Sequence, residues 1–196
     1  MERVSKEPSG KEFYLPHRAV VRKDSETTKL RIVYDASANE RSDVPSLNDC
    51  LSRVPPLQNQ LWKVMVRNRF YPVAVAGDLK KAFLQVRARE SERDVLHFHW
   101  LKNLNSSELE VLRFTRVVFG MVSSPFLLNG VLQEHLSSME ERYPKAVDEI
   151  RKSLYVNDLI SGAPTTKEAK ELKTIAVEVF DEATFTCINS ILTCMS

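Results

Sequence analysis

The chain has 196 residues, 43% of them apolar, enough to bury one core or to form two small lobes. No uninterrupted apolar run approaches the length of a bilayer span, and the charged start from Met1 to Phe13 lacks the pattern of a signal peptide. A soluble, cytoplasmic setting without signal peptide or transmembrane segment is therefore expected. Three cysteines, Cys50, Cys187 and Cys194, lack metal-ligand spacing and favour reduced thiols; the formal charge of +2 hides a basic first half, with 18 Lys and Arg against 13 Asp and Glu in residues 1–100 and 10 against 13 beyond, which permits a polyanionic partner without requiring one.

After a polar lead-in (residues 1–11), Tyr14 to Lys23 and Leu30 to Asp35 read as two strands joined by a polar loop from Asp24 to Thr28. Antiparallel pairing would gather Arg22, Lys23, Lys29 and Arg31 into a phosphate grip; a surface hairpin with snorkelling arginines explains the same pattern. Residues 35–56, rich in Ser, Asn, Asp and Pro, read as loop. Leu57, Leu61, Val64 and Met65, with Trp62 beside them, recur at helical spacing and define an apolar stripe. The strand Pro72 to Gly77 then ends at Asp78, and Leu79 to Phe83 reads as a tight turn or short helix. Asp78 is either a carboxylate at a strand end, where many sites keep reactive groups, or the N-cap of that short helix.

Val95 to Trp100 and Val111 to Phe119 read as a further strand pair around a polar connection. His97 and His99 share one face of the first and read as partly exposed strand residues, since no further His or Cys completes a metal site; His17 and His135 are equally isolated. Gly120 to Pro125 is a loop leading into a helix, with Ser123 or Ser124 as cap and Leu127, Leu128, Val131, Leu132, Leu136 and Met139 as its buried stripe. Lys145 to Ser153 is a short amphipathic segment. Leu154 to Ile160 reads as a hairpin with Asn157 and Asp158 in the turn, since both residue types tolerate positive φ, and with the Asp158 carboxylate clear of the core. Gly162 to Pro164 closes it, and Thr165 with Glu168 makes the capping box of a helix carrying Ala169, Leu172, Ile175, Ala176, Val179 and Phe180.

Six blocks in order, YLPHRAVVRKD, TKLRIVYDAS, SLNDCL, AVAGDLKKAFLQV, VVFGMVSSPFLLNGVL and LYVNDLISG, make residues 12–186 resemble a reverse transcriptase, and within that family the polymerase of Pao/BEL-type LTR retrotransposons. The resemblance implies an α+β fold of fingers and palm, an antiparallel palm sheet backed by helices, with the thumb and the rest of the retrotransposon polyprotein missing. It implies an RNA-directed DNA polymerase that extends a primer on an RNA or DNA template with deoxynucleoside triphosphates, in a cytoplasmic, particle-associated setting and without a membrane partner. Two Mg²⁺ ions, with Mn²⁺ as substitute, would be held by Asp78, Asp158 and the residue at 157. The backbone of Leu79, Lys80, Lys81 and Ala82 would cradle the triphosphate and Phe83 would block a ribose 2′ hydroxyl. Arg22 and Arg31 would clamp the triphosphate, while the loop from Gly120 to Pro125 supports nucleotide and template. Phe119 departs from the Gln of retroviral relatives.

Two further departures bear on activity. The family pattern is Tyr, any residue, Asp, Asp, whereas this chain reads Tyr155, Val156, Asn157, Asp158. A unit charge about 4 Å from another contributes roughly 4 kcal/mol at an effective dielectric near 20, so the loss of one carboxylate is expected to cripple catalysis. The alternative is a catalytically dead remnant that keeps the fold and at most binds nucleic acid. The end of the chain, CINSILTCMS at residues 187–196, also departs from the family's "LHKWHSNV"; a one-base shift of reading frame would account for it and would remove the lysine expected to aid pyrophosphate departure.

Overall fold

The computed structural model describes residues 1–4, 10–21, 30–52, 54–103, 105 and 107–194, with side chains as far as residue 188. In chain order the elements are β1 (Glu2–Arg3), β2 (His17–Val21), β3 (Leu30–Tyr34), α1 (Leu47–Cys50), α2 (Leu61–Asn68), β4 (Val73–Leu79), β5 (His97–Leu101), β6 (Leu109–Arg113), α3 (Ser124–Ser138), α4 (Pro144–Ser153), β7 (Leu154–Tyr155), β8 (Asp158–Ala163), α5 (Thr166–Glu182) and β9 (Cys187–Cys194). Two 3₁₀ segments, Ala82–Gln85 and Glu90–Leu96, stand between β4 and β5. The chain forms two units, one of Met1–Val54 with Arg87–Ser124 and one of Pro55–Val86 with Pro125–Ser196.

In the first unit β2 and β3 pair antiparallel as expected, with His17 opposite Tyr34 and Val20 opposite Arg31. Side chains alternate across a strand, so Arg18 and Arg31 share one face and His17 and Tyr34 the other. That second face is aromatic: Tyr34 meets Phe98 and Phe114 edge-on at 5.2 and 4.8 Å, and His17 stacks on Trp100 at 5.5 Å. Arg22 and the loop 24–28 lie outside the described residues. A separate sheet has the order β1-β6-β5. The expected strand 111–119 stops at Arg113, one residue before the amide of Phe114 makes a last in-register bond to the Leu96 carbonyl (3.1 Å). His97 is not partly exposed but fully buried; its Nε2 lies 3.5 Å from Asp94 Oδ1, too far for a good hydrogen bond. Glu2 anchors β1 through Arg113 (2.6 Å) and Arg93 (3.3 Å). Burial pushes the Glu2 carboxyl up, but the hydrogen bond and charge of Arg113, then those of Arg93, outweigh it and hold the group below its ordinary value.

In the second unit four strands pair antiparallel in the order β7-β8-β4-β9. One face of this sheet carries Val73, Val75, Leu79, Leu159, Ser161 and Ala163, all buried. Behind it α5 buries Ala169, Ala176, Val179 and Phe180, and α4 buries Val147 and Ile150. Thr165 caps α5 as predicted, its hydroxyl accepting from the Glu168 amide at 3.2 Å and donating to the Glu168 carboxylate at 2.7 Å. The stripe of α3 is narrower than expected: Leu128, Leu132 and Leu136, four residues apart, are fully buried, whereas Leu127 and Val131 are exposed. In α2, which begins after Gln60 and so leaves out Leu57, Val64 is buried and Leu61, Trp62 and Met65 are exposed. Residues 187–194, where no element was expected, form β9 against β4, from Leu79 opposite Cys187 to Val73 opposite Cys194. Backbone pairing demands no particular side chains, and a run free of Pro and Gly meets its requirements.

Candidate active site

Asp78 lies inside β4 rather than at its end, one residue before the strand stops at Leu79. This position excludes the helix-cap alternative, since no helix starts there. Its partner across the ladder is Asp158, the first residue of β8. The amide of Leu79 donates to the Asn157 carbonyl (2.9 Å), which marks 79 and 157 as a hydrogen-bonded pair and leaves Asp78 and Asp158 as a non-bonded pair. Such pairs are the closer kind, with Cα atoms about 4.5 Å apart and side chains on the same face. Both carboxylates therefore stand on the face opposite the core, with Ala74, Ala76, Ile160 and Gly162 along the same two strands.

The hairpin that brings Asp158 there differs in register from its sequence reading. Tyr155 pairs with Asp158, so Val156 and Asn157 make the turn, and the positive φ of 55° falls on Val156 rather than on Asn157 or Asp158. A β-branched residue in that region carries strain of about 1–3 kcal/mol. In exchange, Asp158 gains a ladder position beside β4, which fixes its carboxylate against Asp78. The Asn157 amide reaches across as well, donating from Nδ2 to Asp78 Oδ1 at 2.6 Å. Burial first, and the Asp78 charge second, push the Asp158 carboxyl above its ordinary value. Cys187, opposite Leu79 on β9, is a free thiol raised by burial, then by Asp78 and Asp181, with Lys173 opposing.

The remaining predicted positions divide between the two units. In the second, the amides of Leu79 and Lys80 donate to the carbonyls of Asn157 and Thr186 (2.9 Å each), so neither is available to cradle a phosphate. The Lys80 and Lys81 side chains are exposed, and Lys81 takes a left-handed φ of 51° at the turn into Ala82–Gln85. Ala82 and Phe83 are buried in that turn. In the first unit Arg31 and Phe119 are exposed, and Gly120 has φ +92°, a conformation that suits glycine. Arg22 lies outside the described residues, and so does any test of it as a clamp.

Two asparagines that sequence reasoning passed over hold these segments in place. Asn48 of the SLNDCL block donates to the Gly120 carbonyl (2.8 Å) and accepts from the Val122 amide (2.9 Å), fixing the loop before α3. Asn59 donates to the carbonyls of Arg151 (2.9 Å) and Leu154 (2.8 Å), tying the end of α4 to the strand that enters the hairpin. Neither falls on an apolar period or a cap, so no local pattern marks them. Asn59→Ala is expected to cost about 1–3 kcal/mol, because it strands two part-buried carbonyls; a urea midpoint unchanged from wild type would contradict this.

A sheet with two carboxylates paired on the face opposite its core and helices packed behind is the palm arrangement that the sequence blocks led us to expect. Residues 21–189 match the family described as reverse transcriptase (RNA-dependent DNA polymerase). The chain belongs to the reverse transcriptase family. Its fold is also that of solved structures: the native protease-reverse transcriptase of prototype foamy virus superposes with a TM-score of 0.64 at 16% identity, over 90% of this chain and 20% of that one. The foamy viral protease-reverse transcriptase in complex with an RNA/DNA hybrid superposes with a TM-score of 0.63 at 16% identity, over 94% of this chain and 21% of that one. This chain thus spans about a fifth of their length. No curated protein sequence matches it. Among the described residues no helix is long and apolar enough to cross a membrane.

Proposed function

We propose that the chain is the fingers and palm part of a Pao/BEL-type retrotransposon polymerase, which extends a primer on an RNA or DNA template with deoxynucleoside triphosphates and does so poorly. The pairing of Asp78 with Asp158 across β4 and β8 carries this reading, because it presents two carboxylates together on one sheet face, opposite the core. The foamy viral relative held with an RNA/DNA hybrid supports the choice of a template and primer as partner. The tail from Cys187 is read as a reading-frame shift that β9 accommodates, and the setting as cytoplasmic and particle-associated.

The Mg²⁺ pair implied by the family would fall to Asp78, Asp158 and position 157. These three side chains do not fit two dications. Among the described residues no three His, Cys, Asp or Glu side chains cluster to hold a metal, and the amide at 157 offers Asp78 a hydrogen rather than offering a cation an oxygen. Impairment follows from that missing charge. The test is primer extension on an RNA template under Mg²⁺ and under Mn²⁺, with Asp78→Asn as control. Slow extension abolished by the control supports the reading; extension unaffected by Asp78→Asn removes Asp78, and with it the site, from the chemistry.

A further inference from the structure

We propose that Asn157 is a positioning residue whose side-chain amide takes the place of a cation beside Asp78, so that the paired carboxylates are held in a formed, metal-free site. The inference deepens the polymerase reading, on which it rests only for the choice of cation to be tested.

Asp78 and Asp158 occupy the closer type of ladder pair, where two like charges repel unless something stands between them or neutralises one. Among the described residues no Lys, Arg or His forms an ion pair with either. The group that reaches Asp78 is the Asn157 amide, at the 2.6 Å of a short, charge-assisted hydrogen bond. Its orientation is fixed by chemistry: turned over, the amide would set Oδ1 against the Asp78 carboxylate oxygen at the same distance, with no hydrogen between them. The turn geometry points the same way. Val156 accepts the positive φ of 55°, while Asn157 stays free of that strain with its side chain toward β4 and its carbonyl bonded to the Leu79 amide.

A carboxylate at 157 would reverse this. It would bring a third negative charge to Asp78 and Asp158 and remove the hydrogen, so the folded sheet would be less stable until an external cation bound. Metal binding would then become part of folding stability, as it is wherever a site is strained without its ion. With asparagine, Asp78 already has a hydrogen-bond donor against it, and a dication arriving there must first displace the amide hydrogen.

Thermal unfolding of the full chain near neutral pH tests this, with chelator, Mg²⁺ or Mn²⁺ as the only variable. The wild-type midpoint is expected to be the same with chelator and with either ion. Asn157→Asp should unfold several degrees lower in chelator and recover with either ion, and by calorimetric titration it should bind Mn²⁺ at least about tenfold more tightly than wild type. Asn157→Ala, which removes the donor without adding charge, should unfold lower than wild type in chelator and should not recover with metal. Wild type gaining as much from Mg²⁺ as Asn157→Asp would overturn the proposal. So would Asn157→Ala matching wild type in chelator, an outcome that decides the matter even if Asn157→Asp does not fold. Because these readouts are stability and ion affinity, they stand whether or not the chain extends a primer.

Discussion

Asn157→Asp is expected to raise Mg²⁺-dependent primer extension by about a hundredfold, while lowering the stability of the metal-free chain. The gain follows from electrostatics at short range. A unit charge about 4 Å from another contributes roughly 4 kcal/mol at an effective dielectric near 20; if desolvation removes about a third of that, the remaining ~2.7 kcal/mol is still about a factor of 100 in rate. The geometry supports a gain of that size, since residue 157 contacts Asp78 at 2.6 Å and so stands where a third carboxylate would meet the same cation. Single-turnover extension on a template and primer, compared at saturating Mg²⁺, measures the effect. A rate unchanged by the substitution would falsify the view that the missing charge limits this chain. A rate increase with no loss of metal-free stability would instead separate activity from the amide's holding role.

Much of this site could be read from residue order, and the parts that could not share a cause. Asp78 and Asp158 were identifiable because each sits in a block that resembles the family's metal-binding motifs; taken alone, Asp78 reads equally as a helix cap and Asp158 as a turn residue. What alternation cannot give is register across the ladder. The hairpin at Tyr155 to Asp158 was expected to turn on Asn157 and Asp158, the residue types that tolerate positive φ most easily, yet the turn falls one residue earlier and places that φ on Val156. Tertiary pairing with β4 outweighs the local preference by fixing Asp158 opposite Asp78. The same reasoning applies to β9. Its residues carry no family pattern, and only the open edge of β4 makes a strand of them. Asn48 and Asn59 are invisible for a different reason: their partners are backbone carbonyls and an amide 72 to 95 residues away, which no window on the sequence contains. The exposed positions Leu61, Trp62 and Met65 show the converse, a helical period that is present although the face it marks is not core.

Gly162→Ala should be among the most damaging single-methyl changes in the second unit, at about 3 kcal/mol, although Gly162 lies at the far end of β8 from the hairpin turn. Ala is ordinarily a better strand residue than Gly, so propensity alone predicts a small gain. Space decides otherwise. A Cβ at 162 would lie 2.6 Å from Tyr71 Cβ and 2.7 Å from the Val73 carbonyl oxygen, both well inside contact distance and both on atoms that cannot swing aside. Tyr71 is further held at its far end, where its hydroxyl meets Glu149 at 3.5 Å, and Val73 is the first residue of β4. Relief therefore requires β4 and β8 to part at the Ala74 and Gly162 pair, four residues along the same ladder from Asp78 and Asp158. Overpacking of this kind costs about 1–3 kcal/mol where side chains can adjust and more where backbone must move. Urea unfolding measures the loss, and primer extension measured well below the midpoint shows whether the displaced ladder also separates the carboxylates. If stability falls while extension per folded molecule is unchanged, the strands part only near Gly162 and the site is insulated from the strain; if both fall together, the β4 and β8 register is what holds Asp158 to Asp78.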